Sequence, residues 1–329
     1  MPDVASSTCE MGEIRVGVVG IGHLGTYHLQ KYQKLPGCRI IGVSDIEKER
    51  SAAAAVKHGC EAFSDYRELI GKVDAVSISV PTISHYSIAR DFLREGVDVL
   101  LEKPITLTLE EADDIISIAE DRDAILQIGF VERFNPAIVA LKKIIGVPLF
   151  IETHRLHPFF SRGTDVDVIL DLMIHDLDII IDSVKSPVAT MDAVGVSVLS
   201  DKVDIANVRI TFESGCVANI TASRVTNKKM QKIRLFEVKG YHSVDFAKRE
   251  LISLGRKNID GTGMEISENQ IDVIMNDPLE EEIRAFIESV TTRRPPLVSG
   301  REGRKSLELA LRIVEKIEER KEFYNDSDG

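Results

Sequence analysis

The first part of the chain alternates short apolar segments with amphipathic ones. EIRVGVVG, CRIIGVS, VDAVSISV and VDVLLE are almost uniformly apolar, whereas the stretches between them, such as HLGTYHLQKYQKL, repeat apolar residues at helical spacing. Strands that are apolar on both faces are typical of a parallel sheet covered by helices on both sides. We therefore predict a doubly wound α/β domain over residues 13–129, preceded by a flexible arm at residues 1–12.

The pattern changes after residue 129, and from about residue 189 the signals become strand–turn–strand. VRITF and CVANITA flank the turn at residues 213–215, and KIRLFEV and HSVDF flank the turn at residues 239–241. Each pair predicts a β-hairpin. Helical patterns precede these hairpins in RFNPAIVALKKII and follow them in PLEEEIRAFIESV and SLELALRIVEKIEERKEF. Residues 130–329 are therefore predicted to form an α+β domain with a largely antiparallel open sheet.

Composition narrows the class of partner and compartment. The 53 acidic residues exceed the 41 basic ones, giving a net charge of −12, which is a poor balance for holding nucleic acid. The four cysteines form no CxxC pair, which favours a reducing compartment. No apolar run approaches the length of a membrane span, and the N-terminal residues lack a signal-peptide pattern. We expect a cytoplasmic protein without nucleic-acid or membrane partners.

A glycine-rich motif lies where the first predicted strand meets the first predicted helix. Residues 20–25, GIGHLG, fit GxGxxG in the strand–turn–helix context that a dinucleotide site requires. The first glycine permits the tight turn, the second lets a pyrophosphate approach the backbone, and the third lets the helix pack on the strand. Asp45 ends the second strand, where a carboxylate binds the ribose hydroxyls and favours NAD over NADP. The predicted NAD contacts are Gly20, Gly22, His23, Leu24, Gly25 and Asp45.

Two further features carry candidate chemistry. In LDLMIHDLDIII, residues 170–181, the helical stripe of Asp171, His175 and Asp178 continues to Asp182. A charge buried without a partner costs several kcal/mol, so these groups are either paired or line a cavity. Lys103 ends the apolar strand VDVLLE-K, at the edge of a parallel sheet where ligands bind. Because successive strand residues point to opposite sides, Lys103 and its neighbour Glu102 are not expected to face the same site.

Taken in order, these motifs resemble one family. GIGHLGTYH, Pro81 with His85 four residues later, EKP at residues 102–104, RFNP at residues 133–136 and DxxxHxxD resemble the Gfo/Idh/MocA oxidoreductases over roughly residues 13–320. The resemblance implies a Rossmann domain, an open-sheet domain, bound NAD, a homodimer or homotetramer, and oxidation of a carbinol carbon on a sugar or cyclitol. It also implies a cis bond between Lys103 and Pro104.

The resemblance assigns roles to particular residues. Lys103, Asp171 and His175 match the family's catalytic positions, and Pro81, His85, Glu102 and Lys103 match positions near the cofactor. His175 is the natural base, because an imidazole titrates near neutrality. Lys103 would stabilise the developing alkoxide by its charge, and Asp171 would bind the substrate hydroxyl or orient its neighbours. Asp178 and Asp182 are expected to be structural.

One branch of the family matches more closely. GFVERFNP and DVILDLMIHDLDI resemble dehydrogenases that oxidise the 3-position of UDP-N-acetylglucosamine, which provide a 3-keto sugar for amination on the way to lipid A precursors. Arg133 and Arg155 are candidates for the phosphates of such a substrate, since arginine grips phosphate with two parallel donors. Many relatives carry glycines where this chain has Asp165-Val166-Asp167-Val168. The exact sugar and the roles of Asp165, Asp167 and Asp178 therefore stay open.

Other functions remain compatible with these residues. A redox-neutral glycoside hydrolase of the same fold would use the same lysine and histidine, and inositol or free-sugar dehydrogenases share the same motifs. A non-catalytic dinucleotide sensor is disfavoured because both Lys103 and His175 are present. A metal site built from His154, His157, Asp171 and His175 matches no standard spacing, so no metal is expected.

Overall fold

The computed structural model describes residues 13–159, 166–259 and 263–327. The arm predicted at residues 1–12 and the residue Asp165 lie outside this described part of the chain. The described residues contain two sheets, one of six strands and one of eight. The predicted class, a Rossmann-type α/β fold with a second α+β sheet, is confirmed.

The first sheet has the strand order β3-β2-β1-β4-β5-β6, and its strands from β1 to β5 pair in parallel. The strands are Ile14–Val19 (β1), Cys38–Ser44 (β2), Glu61–Phe63 (β3), Ala75–Ile78 (β4), Asp98–Glu102 (β5) and Leu126–Gly129 (β6). The helices between them are His23–Tyr32 (α1), Lys48–His58 (α2), His85–Arg94 (α3) and Leu109–Asp121 (α4). The strand order reverses between β1 and β4, which is where an open α/β sheet binds its ligand.

The uniform apolarity of these strands is explained by their burial. Val16 and Val18 on β1, and Val99 and Leu100 on β5, have no exposed surface. Because residues of both parities are covered, the sheet has helices on both faces, as the sequence predicts. The short 3-10 turns Tyr66–Leu69 and Thr82–Ser84 lead into β4 and α3.

The second sheet has the order β14-β13-β12-β11-β7-β10-β9-β8. Its strands are Phe150–Leu156 (β7), Val188–Val196 (β8), Ile205–Phe212 (β9), Val217–Ser223 (β10), Met230–Phe236 (β11), Gly240–Asp245 (β12), Glu250–Ile259 (β13) and Gly263–Ile271 (β14). Both predicted hairpins, β9–β10 and β11–β12, are confirmed as antiparallel pairs. β7 lies in the middle of the sheet and pairs in parallel with β10.

One face of the second sheet is covered by helices. The helices that follow β6 along the chain are Pro136–Leu141 (α5), Ile174–Val184 (α6), Pro278–Thr292 (α7) and Gly300–Ser327 (α8), with a 3-10 turn at Val131–Phe134. α6 packs on β7, and α8 packs on β8 and α6. Along β7 the residues Ile151, Thr153 and Arg155 are buried, whereas their neighbours are half-buried. This alternation is the pattern of a sheet with one covered face.

The helix predicted at residues 170–181 has two parts. Ile169–Met173 forms a π-helical turn, and α6 continues from Ile174. The single α-helix expected from the spacing of apolar residues is therefore wrong for its first turn. Single π-turns inside α-helices are rare and occur frequently at functional sites. The wide turn places Asp171 before the α-helix that bears His175.

The chain packs into two compact units. The first comprises Met1–Glu102, Ser117–Gln127 and Ile283–Pro296, and the second comprises Lys103–Ile116, Ile128–Glu282 and Leu297–Gly329. The domain boundary predicted near residue 129 stays a prediction, since segments on both sides of it contribute to each unit. Across the described residues, none of the helices is long and apolar enough to cross a bilayer.

Candidate active site

The glycine turn between β1 and α1 is shaped by its glycines. Gly20 has a φ of +87°, and a Cβ there would lie 2.6 Å from the Ser79 carbonyl oxygen. A Cβ on Gly25 would lie 1.8 Å from the Gly20 carbonyl oxygen. Both positions therefore accept only glycine. By contrast, a Cβ on Gly22 would meet nothing within 4 Å, so the backbone there is open to an approaching ligand.

The first turn of α1 lies beside this opening. His23 and Leu24 are exposed, with the His23 ring against the Tyr27 ring at a centroid distance of 4.8 Å. The first turn carries no acidic residue, so its amide groups offer an uncompensated positive end to an anion. The open glycine and this helix end together fit the pyrophosphate of a dinucleotide.

Asp45 follows the last residue of β2 and is bound to the glycine turn. Its side chain is buried, and its Oδ2 accepts a hydrogen bond of 2.7 Å from the Ile21 amide. Its Oδ1 accepts one of 2.9 Å from the Glu47 amide. The Arg50 guanidinium lies 3.4 Å from the same carboxylate. Asp45, which is predicted to bind the ribose hydroxyls, therefore also fixes the shape of the glycine turn.

The remaining predicted cofactor residues of the first unit lie around α3 and β5. Pro81 precedes the 3-10 turn before α3, and the Nε2 of buried His85 lies 3.0 Å from the Val80 carbonyl oxygen. Glu102 is the last residue of β5, and its carboxylate lies 3.0 Å from the Nε2 of fully buried His28. Glu102 is thus engaged inside the unit, and its contact with a cofactor stays a prediction.

Within the second unit, Lys103 and Asp171 lie side by side. The Lys103 ammonium donates to the Asp171 backbone carbonyl at 2.6 Å and lies 3.5 Å from its carboxylate. Both side chains are half-buried. The Lys103–Pro104 peptide bond is cis, as the family resemblance implies. The lysine at the strand end is therefore held by the π-turn that precedes the histidine.

His175 lies in the first turn of α6, beside this pair. Its Nδ1 is buried and has no hydrogen-bond partner among the described residues, while the residue as a whole is only half-buried. The Phe130 ring meets the imidazole edge-on at a centroid distance of 6.1 Å. Burial, together with the positive charges of Lys103 and Arg155, holds the pKa of His175 well below its usual value of 6.5. The imidazole is therefore neutral at physiological pH, in the state that a base requires.

Arg133 is buried and paired inside the fold. Its Nε and Nη2 donate to the Asp178 carboxylate, and its Nη1 lies 2.7 Å from the Asp182 carboxylate. Lys142 also reaches Asp182, at 2.5 Å. Asp178 and Asp182, the last two acidic residues of the stripe on α6, are thus paired with basic side chains, as the sequence predicts.

Arg155 is buried in a second ion-pair cluster. Its Nε and Nη2 donate to the Asp176 carboxylate at 3.1 and 2.8 Å, and its Nη1 donates to Glu132 at 3.1 Å. Burial raises the pKa of Asp176, although the arginine opposes that effect. The guanidinium groups of Arg155 and Arg133 already donate to carboxylates of the protein. This geometry argues against the contact with substrate phosphates that the sequence predicts.

Two carboxylates of these clusters, those of Asp176 and Glu132, were not predicted from the sequence. Asp176 is buried beside His175 in the chain, and Glu132 bonds both Arg155 and Asn135. The available signal was a charge inside an apolar run, since a buried carboxylate needs a cationic partner. Asp167, whose role the sequence left open, accepts a hydrogen bond of 2.9 Å from the Val203 amide.

Comparison with known proteins shows the family of the chain. Residues 14–130 match the NAD-binding Rossmann fold of the GFO_IDH_MocA oxidoreductase family, and residues 144–242 match the C-terminal domain of the same family. The UDP-N-acetylglucosamine 3-dehydrogenase of Acidithiobacillus ferrooxidans is 38% identical over 94% of this chain and 98% of its own length. A solved structure of that enzyme superposes with a TM-score of 0.88, covering 94% of this chain and 99% of the other.

A second kind of relative acts on cyclitols. The myo-inositol 2-dehydrogenase of Thermotoga maritima is 28% identical over 94% of this chain and 97% of its own length. The predicted NAD-binding Rossmann domain and the predicted family are confirmed by these matches. The chain belongs to the Gfo/Idh/MocA family of oxidoreductases.

Proposed function

We propose that this oxidoreductase uses NAD to oxidise a secondary hydroxyl of a nucleotide sugar, the 3-hydroxyl of UDP-N-acetylglucosamine. The observation that carries the chemistry is the contact between the Lys103 ammonium and the Asp171 backbone carbonyl, one helical turn before His175. Burial and the nearby positive charges lower the pKa of His175, which favours its role as a base. The similarity over almost the whole chain to a UDP-N-acetylglucosamine 3-dehydrogenase supports the substrate.

The proposed reaction converts a secondary alcohol and NAD⁺ into a ketone, NADH and a proton. Bound NAD would supply the acceptor for the hydride that leaves the carbinol carbon. His175 takes the hydroxyl proton, a role that typically contributes about 10²–10⁴-fold. The Lys103 ammonium stabilises the negative charge that develops on the oxygen. Asp171 holds that ammonium in place through its backbone carbonyl.

The residues of the first unit that would hold NAD are those of the glycine turn and Asp45. The open backbone at Gly22 and the amide groups at the start of α1 suit the pyrophosphate. The Asp45 carboxylate suits the ribose hydroxyls and repels a 2′-phosphate. His23, Leu24, Pro81, His85 and Glu102 remain proposed neighbours of the cofactor.

The test is to mix the protein with NAD and a panel of UDP-sugars, free sugars and inositols. Hydrazine traps the ketone, and NADH is followed by absorbance. NADH formed with UDP-N-acetylglucosamine alone supports the proposal. Turnover of an inositol instead would indicate a cyclitol dehydrogenase, like the inositol dehydrogenase that is similar over most of the chain. Glycoside cleavage without net NADH would indicate the redox-neutral hydrolase.

We also propose a homo-oligomer assembled through the open face of the second sheet. That face bears an aromatic row in which the rings of Phe150, Phe236 and Tyr241 lie 5.3 and 4.9 Å apart in succession. Val196 on the edge strand β8 is half exposed. Apolar and aromatic groups on a polar sheet face are typical of an interface. Sedimentation velocity would show a dimer or tetramer, and a monomer at micromolar concentration would contradict this proposal.

The remaining proposals concern context. A 3-keto sugar nucleotide is a substrate for transamination, so we place the activity before an aminotransferase in lipid A biosynthesis, and in the cytoplasm. We propose that no metal takes part. Activity unchanged after chelation supports that view, whereas activity lost to chelation and restored by one divalent metal contradicts it.

A further inference from the structure

Asp204 and Arg224 form a buried ion pair next to the segment that precedes Asp171. Asp204 has no exposed surface and Arg224 is 4% exposed. The Arg224 Nε donates to the Asp204 Oδ1 at 2.8 Å. The Asp204 Oδ2 accepts from the backbone amides of residues 198, 199 and 200 at 2.8, 2.6 and 2.9 Å. A single carboxylate thus organises the loop between β8 and β9.

Electrostatics keep this carboxylate charged. Burial alone would raise the pKa of Asp204, but hydrogen bonds from the Leu199 amide, the Ser200 hydroxyl and the Arg224 guanidinium hold it far below its usual value. The pair is therefore intact over the whole pH range in which an enzyme assay is made.

Arg224 and Val203, the residue before Asp204, are hydrogen-bonded to the segment at residues 166–168. The Arg224 Nη1 donates to the Val166 carbonyl at 3.0 Å. The Val203 amide, next to Asp204, donates to the Asp167 Oδ1 at 2.9 Å. The Val203 carbonyl in turn accepts from the Val168 amide at 2.9 Å. Two hydrogen bonds to Val203 therefore fix the segment before the π-turn to the loop that Asp204 organises, and a third fixes it to Arg224.

From there the hydrogen bonds continue to the lysine. The Asp171 amide donates to the Asp167 carbonyl at 3.0 Å, and the Asp171 carbonyl accepts from the Lys103 ammonium at 2.6 Å. Resting on the function proposed above, we propose that Asp204 and Arg224 are positioning residues, which fix residues 166–168 so that the Asp171 carbonyl holds the Lys103 ammonium at the reacting oxygen. A displacement of about 1 Å at a catalytic group can cost about 10²-fold in rate.

Two variants of the full-length protein test this path. Arg224→Lys keeps the charge beside Asp204 but loses the fork that also reaches Val166. Asp167→Ala leaves the Asp204–Arg224 pair intact and removes only the hydrogen bond from the Val203 amide to the Asp167 carboxylate. Arg293→Lys is the matched control, since Arg293 pairs at 2.8 Å with the buried carboxylate of Asp98 in the first unit. Thermal unfolding of each variant shows whether the fold is kept.

The first readout needs no substrate. Lys103 is acylated with limiting acetic anhydride, and its reactivity relative to the other lysines is measured by mass spectrometry. We expect Lys103 to become several-fold more reactive in Arg224→Lys and Asp167→Ala, and unchanged in Arg293→Lys. Unchanged reactivity of Lys103 in the two test variants overturns the inference, whether or not the protein oxidises a sugar. Changed reactivity in a protein inactive on every sugar overturns the proposed function instead.

The second readout is kinetic. In both test variants, kcat falls by about 10- to 100-fold while the dissociation constant of NADH is unchanged. The acidic limb of kcat/KM moves to higher pH, because a displaced Lys103 no longer lowers the pKa of His175. The double variant loses no more than either single one, as expected for one shared path. A lower unfolding temperature with wild-type kcat and pH profile would reduce the pair to a structural role.

Discussion

The Lys103 ammonium lies 2.6 Å from the backbone carbonyl oxygen of Asp171 and 3.5 Å from its carboxylate. The shorter contact is thus with the main chain. Replacing the Asp171 side chain would leave that contact in place, whereas moving the π-turn would break it. The charge that stabilises an alkoxide in the proposed reaction is held by the shape of the backbone.

Lys103→Met removes this charge at nearly constant length. Because no cation then faces the developing alkoxide, we expect kcat to fall by about 10²–10³-fold, measured by steady-state NADH formation. The acidic limb of the rate profile also moves to higher pH, since Lys103 lowers the pKa of His175. Lys103→Arg is the control that keeps the charge and should retain part of the activity. A methionine variant with near-normal kcat would exclude the electrostatic role.

His175→Ala removes the proposed base. Turnover should fall by about 10²–10⁴-fold, because no other group takes the hydroxyl proton in the proposed mechanism. NADH binding, measured by fluorescence titration, should stay at the wild-type level. Turnover close to that of the wild type would end the assignment of His175 as base.

The pH dependence of the wild-type protein follows from the state of His175. The base acts in its neutral form, and its pKa lies well below 6.5 because of burial and of the Lys103 and Arg155 charges. Activity should therefore persist at pH 6.5 and decline only as the pH falls further, through the pKa of the folded protein. The profile of kcat/KM, which reports the free enzyme, checks this. An acidic limb centred at or above pH 6.5, absent from His175→Gln, would contradict the buried environment.

Arg133→Met tests whether the arginine serves the fold or the substrate. The change leaves the buried carboxylate of Asp178 without its ion-pair partner, which should lower the free energy of unfolding by about 3–5 kcal/mol. Urea denaturation measures the loss. Lys142→Met is the control: it removes the more exposed partner of Asp182 and should cost about 1 kcal/mol or less. A stable Arg133→Met protein with a strongly raised KM for the UDP-sugar would instead indicate that Arg133 binds the substrate phosphates.

Asp45→Asn tests the coenzyme preference. The amide oxygen can still accept from the Ile21 amide, but the charge that binds ribose hydroxyls and repels a phosphate is lost. We expect kcat/KM for NAD to fall by about 10- to 100-fold, the range for a charged hydrogen bond, with a smaller loss for NADP. Arg50→Gln keeps the carboxylate and should keep the preference for NAD. An unchanged NAD-to-NADP ratio in Asp45→Asn would show that discrimination lies elsewhere.

The sequence predicted features that depend on local pattern. The parallel strands show themselves by uniform apolarity, the hairpins by their turns, and the glycine turn by its place between strand and helix. The positions of Lys103, Asp171 and His175 came from motifs in a known order, and the structure brings Lys103 and Asp171 into contact. Their chemical roles stay predictions.

Ion pairs between residues far apart in the sequence were not predictable from local pattern. Arg133 meets Asp178 45 residues later, and Arg155 meets Asp176 21 residues later. A guanidinium fork binds a carboxylate and a phosphate with the same geometry, so the arginines alone do not reveal which acceptor they meet. The π-turn was likewise not predictable, because the spacing of Asp171, His175 and Asp178 fits an uninterrupted α-helix.

The π-turn at Ile169–Met173 also constrains how this chain can vary in length. Each residue of an α-helix turns the chain by about 100°. Losing or gaining one residue inside the turn would therefore rotate Asp171 away from the side on which α6 presents His175. Substitutions within the turn can be absorbed one side chain at a time, but an insertion or deletion cannot. In related proteins with the same activity, we therefore expect the length of this segment to be constant even where its amino acids differ.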